Sequence, residues 1–342
     1  MKSSILRILT LHMVLAVALV SVSAFAGTIN VSWTGAASGF GNLSGNWATP
    51  GNWSGHTVPN NSDGATYNVT LPTLLPLGDF YGYVVSDANG TIDSLTVDAG
   101  ANVYTGGGAL NVTGNVYVAG SGRDCFDSQS HCGSFSGGLG HVAGTIYNQN
   151  GAAFFSAGFT APDYVQTGAG SWAQISEGST MNVSDSSINA GQFVMYNTLN
   201  GNLAINGGTL DADCFVTGGR CLVNGNLKFS TAGTLATQAS VHGPSLPVSG
   251  DATLAGTLDL DFSGLPVLPS YEVMTYSSET GQFGTVDATG LNSSERLNLD
   301  YGPTALFAVV STPETSPILL LATGLLALAF AVCVNWRRAR VS

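Results

Sequence analysis

Short runs of alternating apolar and polar residues occupy most of the chain between positions 27 and 310. Each run ends at glycine or asparagine, as in TIDSLTVDAG, ALNVTGNVYVAG, NLAINGGTLDA, CLVNGNLKFS and ATLAGTLDLDF. Strict alternation places successive side chains on opposite faces of a strand, and glycine and asparagine tolerate the positive φ of tight turns. The 3.6-residue periodicity of an ordinary helix is missing from these runs. The pattern predicts an all-β domain made of many short strands.

The runs recur at irregular intervals, and two architectures fit that spacing. One is a right-handed β-solenoid, in which neighbouring coils bury one another's inner faces, and the other is an elongated β-sandwich. Residues 114–126 (GNVYVAGSGRDCF) resemble residues 201–215 (GNLAINGGTLDADCF). Each segment contains one cysteine, and a second cysteine lies seven positions after it. We interpret the two segments as a partial internal duplication.

The charge of the chain is low in amount and acidic in sign. Only 9% of the residues are charged, and the chain contains 45 glycines. Residues 27–312 carry 20 acidic and four basic side chains, which gives a net charge of −16. Such a surface repels a phosphate backbone, so nucleic acid is not predicted as a partner, whereas neutral sugars and divalent cations fit better. No cofactor is predicted; Ca²⁺ on exposed aspartates is the alternative, although the glycine-rich nonapeptide repeat of calcium-binding solenoids is missing.

Residues 1–26 have the three parts of a secretory signal peptide. Lys2 and Arg7 precede an apolar core, which is followed by an A-x-A site at residues 24–26. This layout predicts export and cleavage between Ala26 and Gly27. An uncleaved anchor helix is the alternative interpretation.

Residues 318–342 contain an apolar stretch that ends in a cluster of arginines. A membrane helix is predicted over residues 318–336, because the apolar and small residues at positions 318–334 rise about 25 Å as a helix, enough for a thin bilayer core. The cluster should stay on the cytoplasmic side. It consists of Arg337, Arg338 and Arg340.

Together with Pro313 and Glu314, this tail resembles a PEP-CTERM sorting signal, here residues 312–342. Proteins of that bacterial family are recognised by a membrane protease-transpeptidase, exosortase, and are linked to extracellular polysaccharide. The resemblance implies an intermediate in the inner membrane, followed by display at the cell surface or outside the cell. One departure is Thr315, because the family usually has a second proline there. A permanently anchored envelope protein is therefore an alternative.

Three tryptophans, Trp33, Trp47 and Trp53, lie in the segment 27–70, which contains Gly-Asn-Trp twice. The segment is similar to the opening of β-solenoid passenger regions in autotransporters, and this implies an end cap over the first coil. A sugar-stacking platform is the functional alternative for the same rings. The solenoid body is predicted over residues 71–250, and residues 251–311 resemble the closing cap of such solenoids.

Four cysteines of the predicted ectodomain form two closely spaced pairs. Because an exported chain meets oxidising conditions, disulfides are predicted between Cys125 and Cys132 and between Cys214 and Cys221. The alternatives are free thiols and a zinc site; the zinc ligands would have an unusual spacing, so no metal site is predicted. Those ligands would be Cys125, His131, Cys132 and His141.

Two carboxylate pairs, Asp211 with Asp213 and Asp259 with Asp261, lie two residues apart on predicted strands, so each pair should project from one face. A solenoid polysaccharide lyase or glycosidase would use such carboxylates, with Arg220 as a basic partner. No catalytic motif accompanies them, and a solvated strand face is the simpler interpretation. No catalytic or cofactor-binding residue is therefore predicted.

Taken together, these features predict a non-enzymatic, exported bacterial surface or extracellular-matrix protein. Its expected role is structural or adhesive contact with extracellular polysaccharide, and its expected processing partner is an exosortase-type protease. The sequence leaves a polysaccharide-degrading solenoid enzyme and a permanently anchored envelope protein as alternatives.

Overall fold

The computed structural model describes most of the predicted ectodomain and one short piece of the tail. The described residues are 27–37, 44–61, 64–73, 83–105, 109–119, 134–136, 139–155, 158–212, 221–266, 268–311 and 325–330. The predicted signal peptide, both members of the Cys125–Cys132 pair and the predicted sorting residues of the tail lie outside these ranges.

The described ectodomain is all-β, with two short 3-10 turns at Pro50–Asn52 and Ser54–His56. Its strands are β1 (Thr28–Ser32), β2 (Ser44–Asn46), β3 (Thr66–Leu71), β4 (Tyr83–Ser86), β5 (Gly90–Ile92), β6 (Ser94–Val97), β7 (Ala101–Tyr104), β8 (Leu110–Val112), β9 (Val116–Ala119), β10 (Ser134–Ser136), β11 (Leu139–Val142), β12 (Thr145–Gln149), β13 (Ala152–Phe155), β14 (Phe159–Gln166), β15 (Trp172–Ile175), β16 (Thr180–Ile188), β17 (Gln192–Met195), β18 (Thr198–Ile205), β19 (Thr209–Asp211), β20 (Leu222–Asn224), β21 (Leu227–Phe229), β22 (Thr234–Gln238), β23 (Leu246–Pro247), β24 (Asp251–Leu254), β25 (Thr257–Asp261), β26 (Ser270–Thr275), β27 (Ser278–Gly281), β28 (Thr285–Thr289), β29 (Arg296–Tyr301) and β30 (Ala305–Ser311).

Two long parallel sheets run the length of the described ectodomain. Sheet 1 has the order β1-β3-β6-β9-β12-β14-β16-β18-β21-β24-β27, and sheet 2 has the order β2-β4-β7-β10-β13-β15-β17-β19-β22-β25-β28. Each turn of the chain therefore contributes one strand to sheet 1 and one strand to sheet 2. The next turn pairs with both strands in parallel. At a strand separation of about 4.8 Å, ten steps along sheet 1 span about 48 Å.

A third face is built from the short strands β5, β8 and β11, the first halves of β14, β16 and β18, and β20. It continues into a terminal sheet of order β23-β26-β30-β29, whose last two pairings are antiparallel. This arrangement is β-solenoid-like. The parallel pairing between successive turns favours the predicted solenoid over the predicted sandwich.

The turns of sheet 1 differ widely in length. Ser186 pairs with Leu203 in the next turn, and Val31 pairs with Val69. The first of these turns is less than half as long as the second. The additional residues of a longer turn lie between its strands, so the register of the sheets does not depend on turn length. The irregular spacing in the sequence has this origin.

The core lies between the sheets and is filled by the apolar half of each alternating run. One inward row of sheet 1 contains Leu95, Val116, Ile146 and Tyr164, all at most 1% exposed. The first residues of the two similar segments, 114–126 and 201–215, occupy equivalent positions in the structure. Val116 and Leu203 both point inward, and the preceding asparagines each accept a hydrogen bond from the backbone of the next turn.

The N-terminal end of the core is closed by three indoles. Trp33, Trp47 and Trp53 are at most 1% exposed, and Trp53 packs edge-on against both others with ring centroids 5.0 and 4.7 Å apart. Trp53 Nε1 donates to the Trp47 carbonyl oxygen at 2.8 Å. Because these rings are buried, they offer no surface on which a sugar could stack.

The two Gly-Asn-Trp motifs of this end are used for close packing. A Cβ on Gly45 would lie 2.6 Å from Asn52 Nδ2, so only glycine fits beside that side chain. Asn52 is 1% exposed; its Oδ1 accepts from the Ala37 backbone at 3.0 Å, and its Nδ2 donates to the Asn46 carbonyl oxygen.

The C-terminal end is closed less completely. Phe283 is 7% exposed and packs edge-on against Phe229, with ring centroids 5.6 Å apart. The β29–β30 hairpin brings Leu297, Leu299 and Tyr301 against the core, and these three remain partly exposed. Every residue of β28 is exposed.

Residues 325–330 are helical and lie inside the predicted membrane span of residues 318–336. Leu325, Leu326, Leu328 and Phe330 are each more than half exposed there. Across the described ranges, no helix is both long and apolar enough to cross a bilayer.

Candidate functional site

A row of carboxylates lies on the outer face of sheet 2. It comes from a repeat in the sequence: GTLDA, GTLAT, GTLDL and GTVDA begin at positions 208, 233, 256 and 284. In each repeat the threonine opens a strand of sheet 2. The next residue is buried in the first three repeats (Leu210, Leu235 and Leu258), whereas Val286 of the fourth is exposed. The fourth position points outward, which aligns Asp211, Ala236, Asp259 and Asp287 in register.

The glycines that open the first three repeats are required by the corner between sheets 1 and 2, because a Cβ at Gly208, Gly233 or Gly256 would collide with a backbone carbonyl oxygen of the preceding turn. Gly256 has a φ of +74°, and a Cβ there would collide with the carbonyl oxygen of Gly233. The same carbonyl accepts a hydrogen bond from the Thr257 backbone at 3.0 Å. The corner therefore fixes where each strand of sheet 2 starts, and with it the position of the aspartates.

The row is closely spaced. Asp259 and Asp287 lie on adjacent strands, about 4.8 Å apart, whereas Asp211 and Asp259 are two strands apart, about 10 Å. A groove of about 360 Å³ runs over the surface between them. Its lining includes Asp211, Gln238, Asp259, Asp261 and Thr289.

Hydrogen bonds fix two of these carboxylates. Gln192 Nε2 donates to Asp211 Oδ2 at 2.8 Å, and Asp261 Oδ1 accepts from the Ser263 backbone at 2.8 Å and from Thr289 Oγ1 at 3.0 Å. The hydrogen bonds from Ser263, and then the one from Thr289, hold the pKa of Asp261 below its usual value despite partial desolvation. Asp261 is therefore a charged acceptor and a poor proton donor.

The sequence placed the carboxylates correctly within one pair but missed the larger arrangement. Asp259 and Asp261 do project from one face of β25. Asp211 belongs to the same outer face two strands away, which no local spacing predicts. Asp213 and Arg220, the other residues of the predicted enzymatic alternative, lie outside the described residues.

Lys228, which is close to Asp211 in sequence, lies on a different face of the solenoid. It belongs to β21 of sheet 1, where it is exposed between Ala204 and Thr253. The carboxylate row is on sheet 2. Proximity along the chain therefore does not bring the two side chains together, because a turn of the solenoid passes from one face to another between the two residues.

Of the cysteines, Cys221 alone falls within the described ranges. It is 2% exposed and disulfide-bonded, and its partner lies outside the described residues. Cys125, Cys132, Cys214 and His131 also lie outside them. His141 is exposed on β11. In the described part of the chain, no group of three or more His, Cys, Asp or Glu side chains is arranged to hold a metal ion.

The predicted processing residues fall almost entirely outside the described ranges. Gly27 is exposed at the first described position, and Ala26 lies outside. Also outside the described residues are Pro313, Glu314, Arg337, Arg338 and Arg340.

The rest of the outer surface carries ladders of amide and hydroxyl groups. On the third face, Asn200 Nδ2 donates to Asn182 Oδ1 at 2.7 Å and Asn224 Nδ2 donates to Asn200 Oδ1 at 3.2 Å. Ser249 Oγ continues the row by donating to Asn224 Oδ1 at 2.9 Å. Each ladder repeats similar side chains from turn to turn, so the surface displays polar groups at intervals of about 4.8 Å.

A parallel ladder follows sheet 1. Asn202 Nδ2 donates to Asp185 Oδ1 at 3.0 Å, and Asn226 and Asp251 extend the row through their own backbone hydrogen bonds to the preceding asparagine. The signal was present in the sequence as Gly-Asn or Gly-Asp at positions 201, 225 and 250, followed by an apolar residue.

No family model matches this chain, and no curated protein or solved structure matches it either. Its function must therefore be inferred from the chemistry of the described surface.

Proposed function

We propose that the protein is an exported, non-enzymatic component of a bacterial surface or extracellular matrix. Its role is structural or adhesive contact with extracellular polysaccharide, and its ectodomain is a right-handed β-solenoid rod. The observation that carries the proposal is the continuous outer display of amide, hydroxyl and carboxylate groups on rigid parallel sheets. Such groups match the hydroxyls of a polysaccharide, and a preformed surface loses little conformational entropy on binding.

The tail defines the route in this proposal. A PEP-CTERM-like signal, with the motif at Pro313 and Glu314 and the arginine cluster, would hold the chain in the inner membrane until an exosortase-type protease releases it. The net charge of −16 over residues 27–312 supports a partner other than nucleic acid.

The decisive experiment is the intact mass of the mature protein from membrane and extracellular fractions, with and without reductant. Loss of residues 1–26 together with most of residues 312–342 would support sorting. A retained tail would support the anchored envelope protein instead. Reduction that adds about 4 Da would report two disulfides, as expected in an oxidising compartment.

A polysaccharide lyase or glycosidase is the second candidate, and the carboxylate row of sheet 2 is the observation that favours it. Asp211 and Asp259 are about 10 Å apart, near the upper end of the separation that glycosidases use. The lowered pKa of Asp261 counts against that residue as a general acid. Release of reducing ends or unsaturated sugars by the purified chain, lost in Asp259→Asn, would replace the leading proposal with this one.

A further inference from the structure

One outward row of sheet 1 contains a pair of stacked tyrosines beside a run of short side chains. The row follows the register Thr96, Tyr117, Tyr147, Val165, Ser187, Ala204 and Lys228. The rings of Tyr117 and Tyr147 lie 5.1 Å apart and within 8° of parallel, and both residues are partly exposed. One face of each ring is therefore covered by the other ring, from the adjacent turn.

Among the described residues, the other face of the Tyr147 ring has no aromatic partner. The next residue in the row is Val165, followed by Ser187 and Ala204, and these side chains end well below the level of a tyrosine ring. The row therefore forms a shallow trough, defined by Val165, Ser187 and Ala204. Tyr147 is its wall at one end and Lys228 is at the other, about 19 Å away over four strand spacings.

Polar side chains flank the trough. Two positions before Val165 and Ser187 on their strands, and on the same face, are Asp163 and Asp185. Asp185 is exposed and accepts one hydrogen bond, from Asn202, whereas the Asp163 carboxylate accepts none from the described residues. A carboxylate has room for about four hydrogen bonds, so both groups retain acceptor capacity.

The tyrosine wall is held in place before any ligand arrives. Asn115 Nδ2 donates to the Tyr117 hydroxyl at 3.1 Å, and Asn115 Oδ1 accepts from the Thr145 backbone at 2.9 Å. The ring of Tyr147 is then fixed by its stacking on Tyr117. A ligand that uses this wall does not have to order it first.

We propose that the trough binds one strand of a neutral polysaccharide, with a sugar ring stacked on the open face of Tyr147 and hydroxyls donating to Asp163 and Asp185. The inference deepens the proposed function and rests on it. The C–H groups on one side of a pyranose ring carry partial positive charge, which matches the negative face of the phenol ring. A polyanion is disfavoured by the two carboxylates and by the acidic ectodomain around them.

The test uses the purified full chain in a zwitterionic detergent, because detergents with sugar headgroups would compete. The probe is the extracellular polysaccharide of the producing cells, divided on an anion exchanger into a neutral fraction that passes through and an acidic fraction that is retained. Wild-type protein should bind the neutral fraction, and 0.5 M salt should leave the affinity nearly unchanged, because stacking and neutral hydrogen bonds are weakly screened.

Three variants assign the binding to the trough. Tyr147→Ala should weaken binding about tenfold, and Tyr147→Phe should keep it, since the ring face is retained. Ser187→Arg fills the trough without disturbing the tyrosine stack, so it should also weaken binding and serves if Tyr147→Ala fails to fold. The matched control is Tyr104→Ala, which removes a tyrosine that is 49% exposed on sheet 2 and should leave the affinity unchanged.

The outcomes separate the two proposals. Wild-type binding to the acidic fraction alone, or equal binding by Ser187→Arg and wild type, would overturn the trough and leave the proposed function in place. Absence of binding to either fraction would overturn both.

Discussion

The two ends of the solenoid differ in the side chains that cover the core and in how completely they cover it. At the N-terminal end the first turn is covered by Trp33, Trp47 and Trp53, none more than 1% exposed. At the C-terminal end Phe283 and the β29–β30 hairpin cover part of the last turn, and β28 remains exposed along its whole length. The N-terminal end is thus covered by aromatic side chains, whereas the edge strands β27 and β28 at the C-terminal end are largely exposed.

The open end is protected by its composition. The side chains of β28 are Thr285, Val286, Asp287, Ala288 and Thr289. A charge in the middle of a short edge strand discourages pairing with another chain, because the partner strand would have to bury that carboxylate. A cap thus needs a large apolar surface only where the core itself would otherwise be exposed.

The largest expected effect is at the sealed end. Trp53→Ala should lower the free energy of unfolding by about 3–5 kcal/mol, because it removes the indole that touches both other rings and leaves a cavity. Chemical denaturation measures the change. The matched variant at the open end is Phe283→Ala, for which about 2 kcal/mol is expected, since solvent can enter the space. Equal losses for the two variants would remove the distinction between the ends.

The second prediction concerns the corner that holds the open edge. The Gly256 carbonyl accepts from the backbones of Gly284 and Thr285, so it fixes the start of β28. Gly256→Ala should cost about 2 kcal/mol or more, since left-handed strain of about 1 kcal/mol adds to the collision with Gly233.

The control for this collision is Gly264→Ala. Gly264 has nearly the same φ, +75°, but a methyl group added at its Cα would have no atom within 4 Å. Gly264→Ala should therefore lower the free energy of unfolding by only about 1 kcal/mol, from left-handed strain without a collision. Hydrogen exchange of β28 should accelerate in Gly256→Ala and remain at the wild-type rate in Gly264→Ala.

The third prediction is a loss of stability at alkaline pH that originates at the open end. Burial, with smaller contributions from Glu279, Tyr301 and Asp300, raises the pKa of Tyr276 to about 12. The folded state thus favours the protonated phenol, whose stabilising contribution is complete below the unfolded pKa of about 10 and is lost as pH rises from there through about 12. Thermal unfolding followed between pH 8 and 11.5 should show the decline.

Tyr276→Phe separates this titration from general alkaline damage. The variant loses the hydrogen bond from the Tyr276 hydroxyl to the Gly302 carbonyl oxygen, which is 3.0 Å long, so it should be about 1 kcal/mol less stable at pH 8. Its further loss between pH 10 and 11.5 should be smaller than that of wild type. An identical alkaline decline in both proteins would assign the effect to other groups.

The smallest expected effect is at the edge of the carboxylate groove. Asp261→Asn should reduce stability by only about 0.3 kcal/mol at pH 7, because the side chain is partly exposed and its charge is screened by solvent. Since hydrogen bonds lower the pKa of Asp261, its contribution is present above the unfolded pKa and is lost as pH falls below it. Thermal unfolding at pH 5 and pH 3 should therefore differ slightly less in the variant. The charge-matched control is Asp287→Asn, which removes the same charge from the adjacent strand β28.

Much of the fold can be read from local pattern. Alternation predicts strands, and residues such as Leu258 and Leu260 are buried while Asp259 between them is exposed. The carboxylate pairs, by contrast, predict only which side chains share a face of one strand. The signal for the whole carboxylate row is a repeat that reads Gly-Thr-Leu-Asp at positions 208 and 256, Gly-Thr-Leu-Ala at position 233 and Gly-Thr-Val-Asp at position 284.

Other features violate the local pattern. Asn148 and Gln166 are polar yet completely buried, in a core position beside Tyr164. The Tyr164 hydroxyl donates to Gln166 Oε1 at 2.9 Å and accepts from Asn148 Nδ2 at 3.2 Å, while burial raises the pKa of that phenol. Composition alone assigns such amides to the surface, because the partners that satisfy them lie in adjacent turns.

By itself the sequence determined the strand content, the inward and outward alternation and the glycine corners, because these depend on neighbours within a few positions of the chain. Which outward residues share a row was decided only by the tertiary structure. Asp211 shares a row with Asp259, and Tyr117 stacks on Tyr147, although the turns between them differ in length. That register is set by backbone pairing between turns, which joins residues far apart in the chain.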